Sequence, residues 1–305
     1  MELRHLRYFV AVAEELNFSR AAERLLVAQP ALSTQIAQLE AELGLLLLER
    51  NRRTVRLTTA GRAFLQDARS LLAGALAAGE RAQRVARGEV GQLSLAFFSA
   101  PTMIFLPELV RQFRALFPDV ALRLLELTPE RQLAALVSGE VELAFTRSLP
   151  PGYPQIDSRV LFEERLLVVL PEGHRWAGRA HLKLEELAGE EFVLLERAEA
   201  SSLYDQVISS CLAAGFSPRV LHSPNLMATV TFLVAAGQGI SLVPEGVQNL
   251  RRHGLRYVPL QPAPPTVPLL LSWLTQADSP ACASFRQLIL ERQDWIRRSF
   301  VATPG

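Results

Sequence analysis

The sequence predicts an α plus α/β protein in three parts: an N-terminal winged helix-turn-helix, a long linker helix and a two-lobed α/β domain. Three observations carry that prediction. Apolar residues at helical spacing fill the first 43 residues, a heptad seam runs from Phe64 to Val85, and strands alternate with helices from Gln92 onward. At 305 residues the chain is also long for one core, since a domain usually takes about 100 to 200.

Leu3, Leu6, Val10, Ala13 and Leu16 recur at three- and four-residue spacing, which predicts an amphipathic helix over 3–16. Asn17 and Ser19 offer N-cap oxygens to a second helix, in which Ala21, Ala22 and Leu25 permit close packing. Residues 26–28 make the turn. Pro30 suits the first turn of a third helix, where its missing N–H is no loss, and Gly44 ends that helix after Leu43. This helix hides Leu32, Ile36, Leu39 and Leu43 and turns Gln29, Ser33 and Thr34 outward, an arrangement suited to a DNA major groove. The solvent face of any amphipathic helix is polar, so the pattern alone is not specific. The next stretch, LLLLERNRRTVRLTTAG, reads as two short strands near 46–49 and 54–57 with arginines at their tip. Residues 50–56 hold four arginines and no acid, so Arg50, Arg52 and Arg53 on a wing can grip phosphate or enter the minor groove. A solvated surface loop explains such a run equally well when charge is taken alone.

Thr58 and Thr59 can cap a helix that continues to about Arg87, with Gly88 and Gly91 closing it. Within it Phe64, Ala68, Leu71, Ala75, Ala78, Ala82 and Val85 repeat with spacing 4,3,4,3,4,3. Three heptads predict pairing between subunits rather than packing on a small winged domain, because about 29 residues at 1.5 Å each extend some 43 Å. Strands are predicted near 93–98, 121–127, 143–146, 166–170, 192–195, 219–221, 240–243 and 269–273, with helices between them and a last helix over 280–300. The expected result is a pair of largely parallel sheets with a cleft between two lobes, where helix N-termini face the ligand.

Composition excludes other classes. The chain is 49% apolar and 21% charged with a formal net charge of +1, which indicates neither disorder nor a membrane protein. Glu2, Arg4 and Arg7 precede any apolar run, so no secretory signal is expected and the chain reads as cytoplasmic. Cys211 and Cys282 lack metal-ligand spacing and read as small buried apolar residues, so no metal and no other cofactor is expected. The five histidines are scattered, and Glu163 and Glu164 would point to opposite faces of a strand, so no acid/base couple emerges and the chain does not read as an enzyme. Gly237-Gln238-Gly239 follows a helix and precedes a strand, the reverse of a dinucleotide loop. Two strand ends do present hydroxyls beside helix starts: Ser99 before Ala100, Pro101 and Thr102, and Thr128 before Pro129. They suit a carboxylate, or they are plain helix caps. Glu196 to Leu203, where Ser201 and Ser202 start another helix and Leu203 follows, offers a third wall, and Arg147 a charge.

Taken together, the segments LRYFVAVAEELNFSRAAERL, AQPALSTQIAQLEAELG, LLLLERNRRTVRLTTAG and LVAAGQGISLVP resemble the LysR-type transcriptional regulators over essentially the whole chain. The resemblance implies a DNA-binding domain over 1–58, a dimerising linker helix over 59–90 and an effector domain over 91–305 similar to periplasmic binding proteins. Its lobe I would take about 91–161 and 268–305, and its lobe II about 162–267. It further implies a homotetramer on operator DNA, contact with RNA polymerase and a small-molecule effector. Ser99, Thr128, FTRSLPPGYPQI and ISLVPEGVQNLRRHGLRYVPL are most similar to the branch that controls aromatic-ring degradation, and there Ser99 and Thr128 would hold effector carboxylates. Ala100 and the Ser201-Ser202-Leu203 wall depart from that branch, as does Thr34 from the arginine of some relatives. The rival readings are a two-lobed solute-binding protein and an α/β enzyme.

Overall fold

A computed structural model of the chain describes residues 1–51, 54–250, 252–275 and 279–301. The chain divides into two units, Met1–Arg84 and Val85–Gly305. In the first, helix α1 (Leu3–Glu15) buries His5, Leu6, Phe9 and Val12. Helix α2 (Phe18–Leu25) is capped by Asn17, whose side chain accepts from the N–H groups of Ser19 and Arg20 at 2.9 and 3.1 Å. Helix α3 (Gln29–Leu43) ends at Gly44, whose φ of 69° is the left-handed cap conformation that glycine adopts without a Cβ penalty. Strands β1 (Leu48–Arg50) and β2 (Val55–Leu57) pair antiparallel as the wing. Helix α4 (Thr59–Ala86) starts where the Thr58 hydroxyl accepts the Gly61 N–H at 2.8 Å.

The base of α4 belongs to the core of this unit, which corrects the expected seam. Ala68 is fully buried with Phe9, Leu32, Ile36 and Leu39, and the Phe64 ring lies 5.3 Å from that of Phe9. Phe64 and Ala68 therefore anchor the helix to its own domain, with Leu65 and Leu72 packed against the same core. Leu71, Ala75, Ala78, Ala82 and Val85 are exposed.

The second unit contains β3 (Val90–Phe97), α5 (Ser99–Thr102), α6 (Leu106–Leu116), β4 (Asp119–Glu126), α7 (Pro129–Ser138), β5 (Leu143–Thr146) and the long β6 (Ile156–Pro171). It continues with β7 (Glu191–Val193), α8 (Ser201–Ala213), β8 (Arg219–His222), α9 (Met227–Ala235), β9 (Ser241–Pro244), β10 (Leu255–Pro259), β11 (Thr266–Leu274), α10 (Pro280–Glu291) and α11 (Gln293–Val301). The main sheet has the order β10-β6-β11-β5-β3-β4, with β9 also on β6.

The expectation of largely parallel sheets is corrected here. β3 is parallel to β4 and β5, and β7 to β8, but β6 is antiparallel to β9, β10 and β11, and β11 to β5. The physical reason is that β6 and β11 run in opposite directions through both lobes, and their pairing over Thr266–Leu274 is what joins the lobes. One core gathers Leu95, Phe105, Phe113, Phe145, Leu269 and Phe285, and the other Leu166, Val168, Phe192, Leu203, Val207 and Val258. Cys282 packs in the first, where its thiol donates to the Glu142 carbonyl at 3.7 Å, and Cys211 in the second, where burial pushes its thiol up to about 11.

Candidate functional site

In the first unit, α3 presents Gln29, Pro30 and Thr34 to solvent and keeps Ser33 half-buried, while Leu32, Ile36 and Leu39 are fully buried beneath them. The Thr34 hydroxyl donates to the Pro30 carbonyl at 3.0 Å, one turn back, so its proton is committed to the helix and its oxygen keeps its acceptor capacity. Arg52 and Arg53 lie outside the described residues. Arg50, expected to contact DNA, is engaged within the domain instead: its guanidinium donates to Glu40 at 2.6 Å, reaches the Ser33 hydroxyl at 3.4 Å and covers the Phe18 ring at 5.6 Å. Its role is thus to lock the wing to α3.

The counterpart of that lock is Glu40, which the sequence reading passed over. It is 4% exposed, and its other oxygen accepts from the N–H groups of Leu47 and Leu48 at 2.9 and 3.0 Å. A glutamate on the buried stripe of an otherwise apolar helix face, at the spacing of Ile36 and Leu43, was the available signal. His5, also buried, contacts the Gln35 side chain at 3.1 Å and steadies the same helix from α1.

In the second unit a cavity of about 490 Å³ opens between the lobes. Lobe I supplies Phe98, Ser99 and Ala100, then Glu126, Leu127, Thr128, Pro129 and Arg131, then Arg147. Lobe II supplies Leu195, Glu199, Ala200, Leu203 and the 225–228 turn, and Pro244 and Val247 lie at its floor. Most of these side chains are apolar, so the walls suit a largely apolar ligand body, with a few polar groups to orient it.

Ser99 and Ala100 line the cavity, at the start of α5. Thr102 does not: it is fully buried, and its hydroxyl donates to the Phe98 carbonyl at 2.8 Å, tying down the turn that presents Ser99. Thr128 precedes α7 but makes no side-chain cap bond. Its hydroxyl donates across the cleft to Glu199 at 2.6 Å, and Arg131 approaches the other Glu199 oxygen at 3.4 Å.

Ser201 and Ser202 are likewise corrected. The Ser201 N–H, at the start of α8, donates to Glu130 of lobe I at 2.7 Å, and Ser202 lines a separate narrow crevice with Glu130 and Pro150. One turn of helix directs them away from the cavity and directs Leu203 into it. Arg147 reaches the cavity wall but is committed elsewhere. It is 4% exposed, pairs with the fully buried Glu164 at 2.5 Å, donates to the Pro268 carbonyl at 3.0 Å and stacks on Phe98 at 4.9 Å.

Glu164 also accepts the Gly246 N–H at 3.1 Å, and a Cβ at Gly246 would stand 2.7 Å from that carboxylate oxygen, so only glycine allows the approach. Burial pushes the Glu164 carboxyl above its ordinary range, and Arg147 opposes that shift only in part. Glu163 points the other way and is exposed.

Glu199 falls within the expected 196–203 wall, and the cavity also holds Arg131, Asn225, Leu226 and Met227, which the sequence did not single out. The rule that found Ser99 and Thr128, a strand end followed by a helix start, also applies between β8 and α9 and would have found Asn225. Within the 196–203 wall nothing local set Glu199 apart from its acidic neighbour Glu196. Among the described residues there is no group of three or more His, Cys, Asp and Glu side chains placed to hold a metal ion, and no helix is long and apolar enough to cross a membrane.

Known proteins match the chain in both units. Residues 3–62 match the bacterial regulatory helix-turn-helix protein, lysR family, and residues 86–294 match the LysR substrate binding domain. The chain is 40% identical over 272 residues to the HTH-type transcriptional regulator CatR of Pseudomonas putida, covering 89% of this chain and 92% of CatR. It is 36% identical over 293 residues to the Hca operon transcriptional activator HcaR of Escherichia coli (strain K12), covering 96% and 98%. Full-length CbnR complexed with its target DNA superposes with a TM-score of 0.79 at 33% identity, over 98% of this chain and 100% of that one. The chain belongs to the LysR family, and is a DNA-binding transcriptional regulator.

Proposed function

We propose that this regulator activates a catabolic operon when a small carboxylate or aromatic acid enters the lobe cleft. The observation that carries the reading is the cavity itself: apolar walls of a size for one aromatic ring or short chain, with the Ser99 hydroxyl at a helix start on its rim. HcaR is an operon activator by its description, which supports the sign of regulation.

Residues 1–58 read the operator. Gln29, Pro30, Ser33 and Thr34 face the major groove, Arg52 and Arg53 grip phosphate or the minor groove, and Arg50 holds the wing in place. Residues 59–90 pair two subunits, with Leu71, Ala75, Ala78, Ala82 and Val85 along the seam. Residues 91–305 sense the effector and complete a tetramer that contacts RNA polymerase. Ligand shifts that assembly only by binding one of its states better than the other.

The test is a ligand-induced thermal shift of the full chain across aromatic and aliphatic carboxylic acids, repeated with Ser99→Ala. Stabilisation by a subset of these acids, weakened in the variant, is the expected result, and a flat panel would sink the reading.

A further inference from the structure

The cleft places a carboxylate of the protein where a ligand carboxylate would otherwise sit. Glu199, on the loop before α8, takes the Thr128 hydroxyl at 2.6 Å and stands 3.4 Å from Arg131. The second cross-cleft donor, the Ser201 N–H, is taken in the same way by Glu130. Arg147 is neutralised by Glu164. The lobe II side of the cavity thus offers a carboxylate acceptor, Glu199, already paired with Arg131, while the Ser99 hydroxyl and the Asn225 side chain make no hydrogen bond among the described residues.

The geometry points to Glu199 as the residue that sets ligand class: the cleft takes a monocarboxylate that also carries a hydrogen-bond donor, a hydroxyl or an amino group, and rejects the matching dicarboxylate. The ligand's carboxylate lies at Ser99 and Asn225, its apolar body against Leu127, Leu203 and Met227, and its donor on Glu199. A second ligand carboxylate at Thr128 would either face Glu199 as a like charge or have to displace it from a charge-assisted hydrogen bond. This inference rests on the small-acid reading proposed above and narrows it.

Isothermal titration of the full chain with 4-hydroxybenzoate, 4-aminobenzoate and terephthalate tests it, since the three share a ring and one carboxylate and differ at the far end. The expected result is that one or both donor-bearing acids bind at least about tenfold more tightly than terephthalate, and that Glu199→Gln cuts that ratio by about tenfold. Terephthalate binding to the wild-type protein as tightly as the tighter of the two donor acids overturns the inference without touching the small-acid reading. A ratio unchanged in Glu199→Gln also overturns it. The same three-way comparison with 5-aminovalerate, 5-hydroxyvalerate and glutarate extends the test to chain-like ligands, and binding of none of the six overturns both readings together.

Discussion

Among the described residues each unit buries one glutamate, and the two are held differently. Glu40 in the DNA-reading unit accepts two backbone N–H groups of the wing and pairs with an arginine that is still one-third exposed. Glu164 in the sensing unit is sealed completely, against an arginine that is itself 4% exposed and a single N–H from Gly246. The first carboxylate is a clip that fixes one surface element relative to another, leaving the outer face of α3 free for a large rigid partner. The second is one of several polar pairs that tie up charge beside the cleft, with Thr128 on Glu199 and Ser201 on Glu130 as the others. A reading head keeps its polar groups exposed, whereas a small-molecule site must neutralise most of its own so that a few decide what binds.

The comparison breaks most visibly at Arg147 and Glu164. Replacing either alone with Ala leaves a buried charge without its partner and is expected to cost about 3–5 kcal/mol, read by urea denaturation of the full chain followed through the second unit. Replacing both, as Arg147→Met with Glu164→Leu, is expected to recover most of that loss. The pH dependence sharpens the point. The Glu164 carboxyl is raised in the folded state from 4.5, so its contribution is fully present below that value and is lost as pH rises through the folded pKa. The stability difference between wild type and Glu164→Gln is therefore expected to shrink as pH increases above 4.5.

Glu40→Ala comes next, at about 2–3 kcal/mol, because two buried N–H groups lose their acceptor and Arg50 loses its anchor. Thermal melting measures the loss, and operator binding should fall with it; a variant with native stability would show that the clip is dispensable. Gln29→Ala touches no buried group and is expected to leave stability unchanged while relaxing preference at one base position by about 1–3 kcal/mol in competition binding. Smallest is Gly74→Ala on α4, where an added Cβ meets nothing within 4 Å. It should stabilise the helix by about 1 kcal/mol, and a loss instead would place Gly74 against the second subunit.

Elements with strong local signals were legible. Asn17 as a cap, Gly44 as a stop, the wing and the burial of Leu32, Ile36 and Leu39 all follow from neighbours within a few positions. The N-terminal start of β6 at Ile156 and the whole of β10 went unread, because paired strands at a lobe crossing have no helix or turn motif to frame them. In the cleft, Ser99 and Thr128 were legible from a strand end beside a helix start. Thr102, Ser201 and Ser202 carried the same hydroxyl signal, yet the helical turn faces them elsewhere.

What the sequence by itself determined is the order of parts, the face of the recognition helix and the family, since periodicity, caps and motifs are properties of short stretches of chain. The tertiary structure alone decided which charges meet. Thr128 and Glu199 are 71 residues apart, as are Glu130 and Ser201, and Glu164 meets the Gly246 N–H across 82. Such pairs have no sequence period, because they form only when two lobes close around one cleft, and at that point an acid that looked like surface becomes the group a ligand must satisfy.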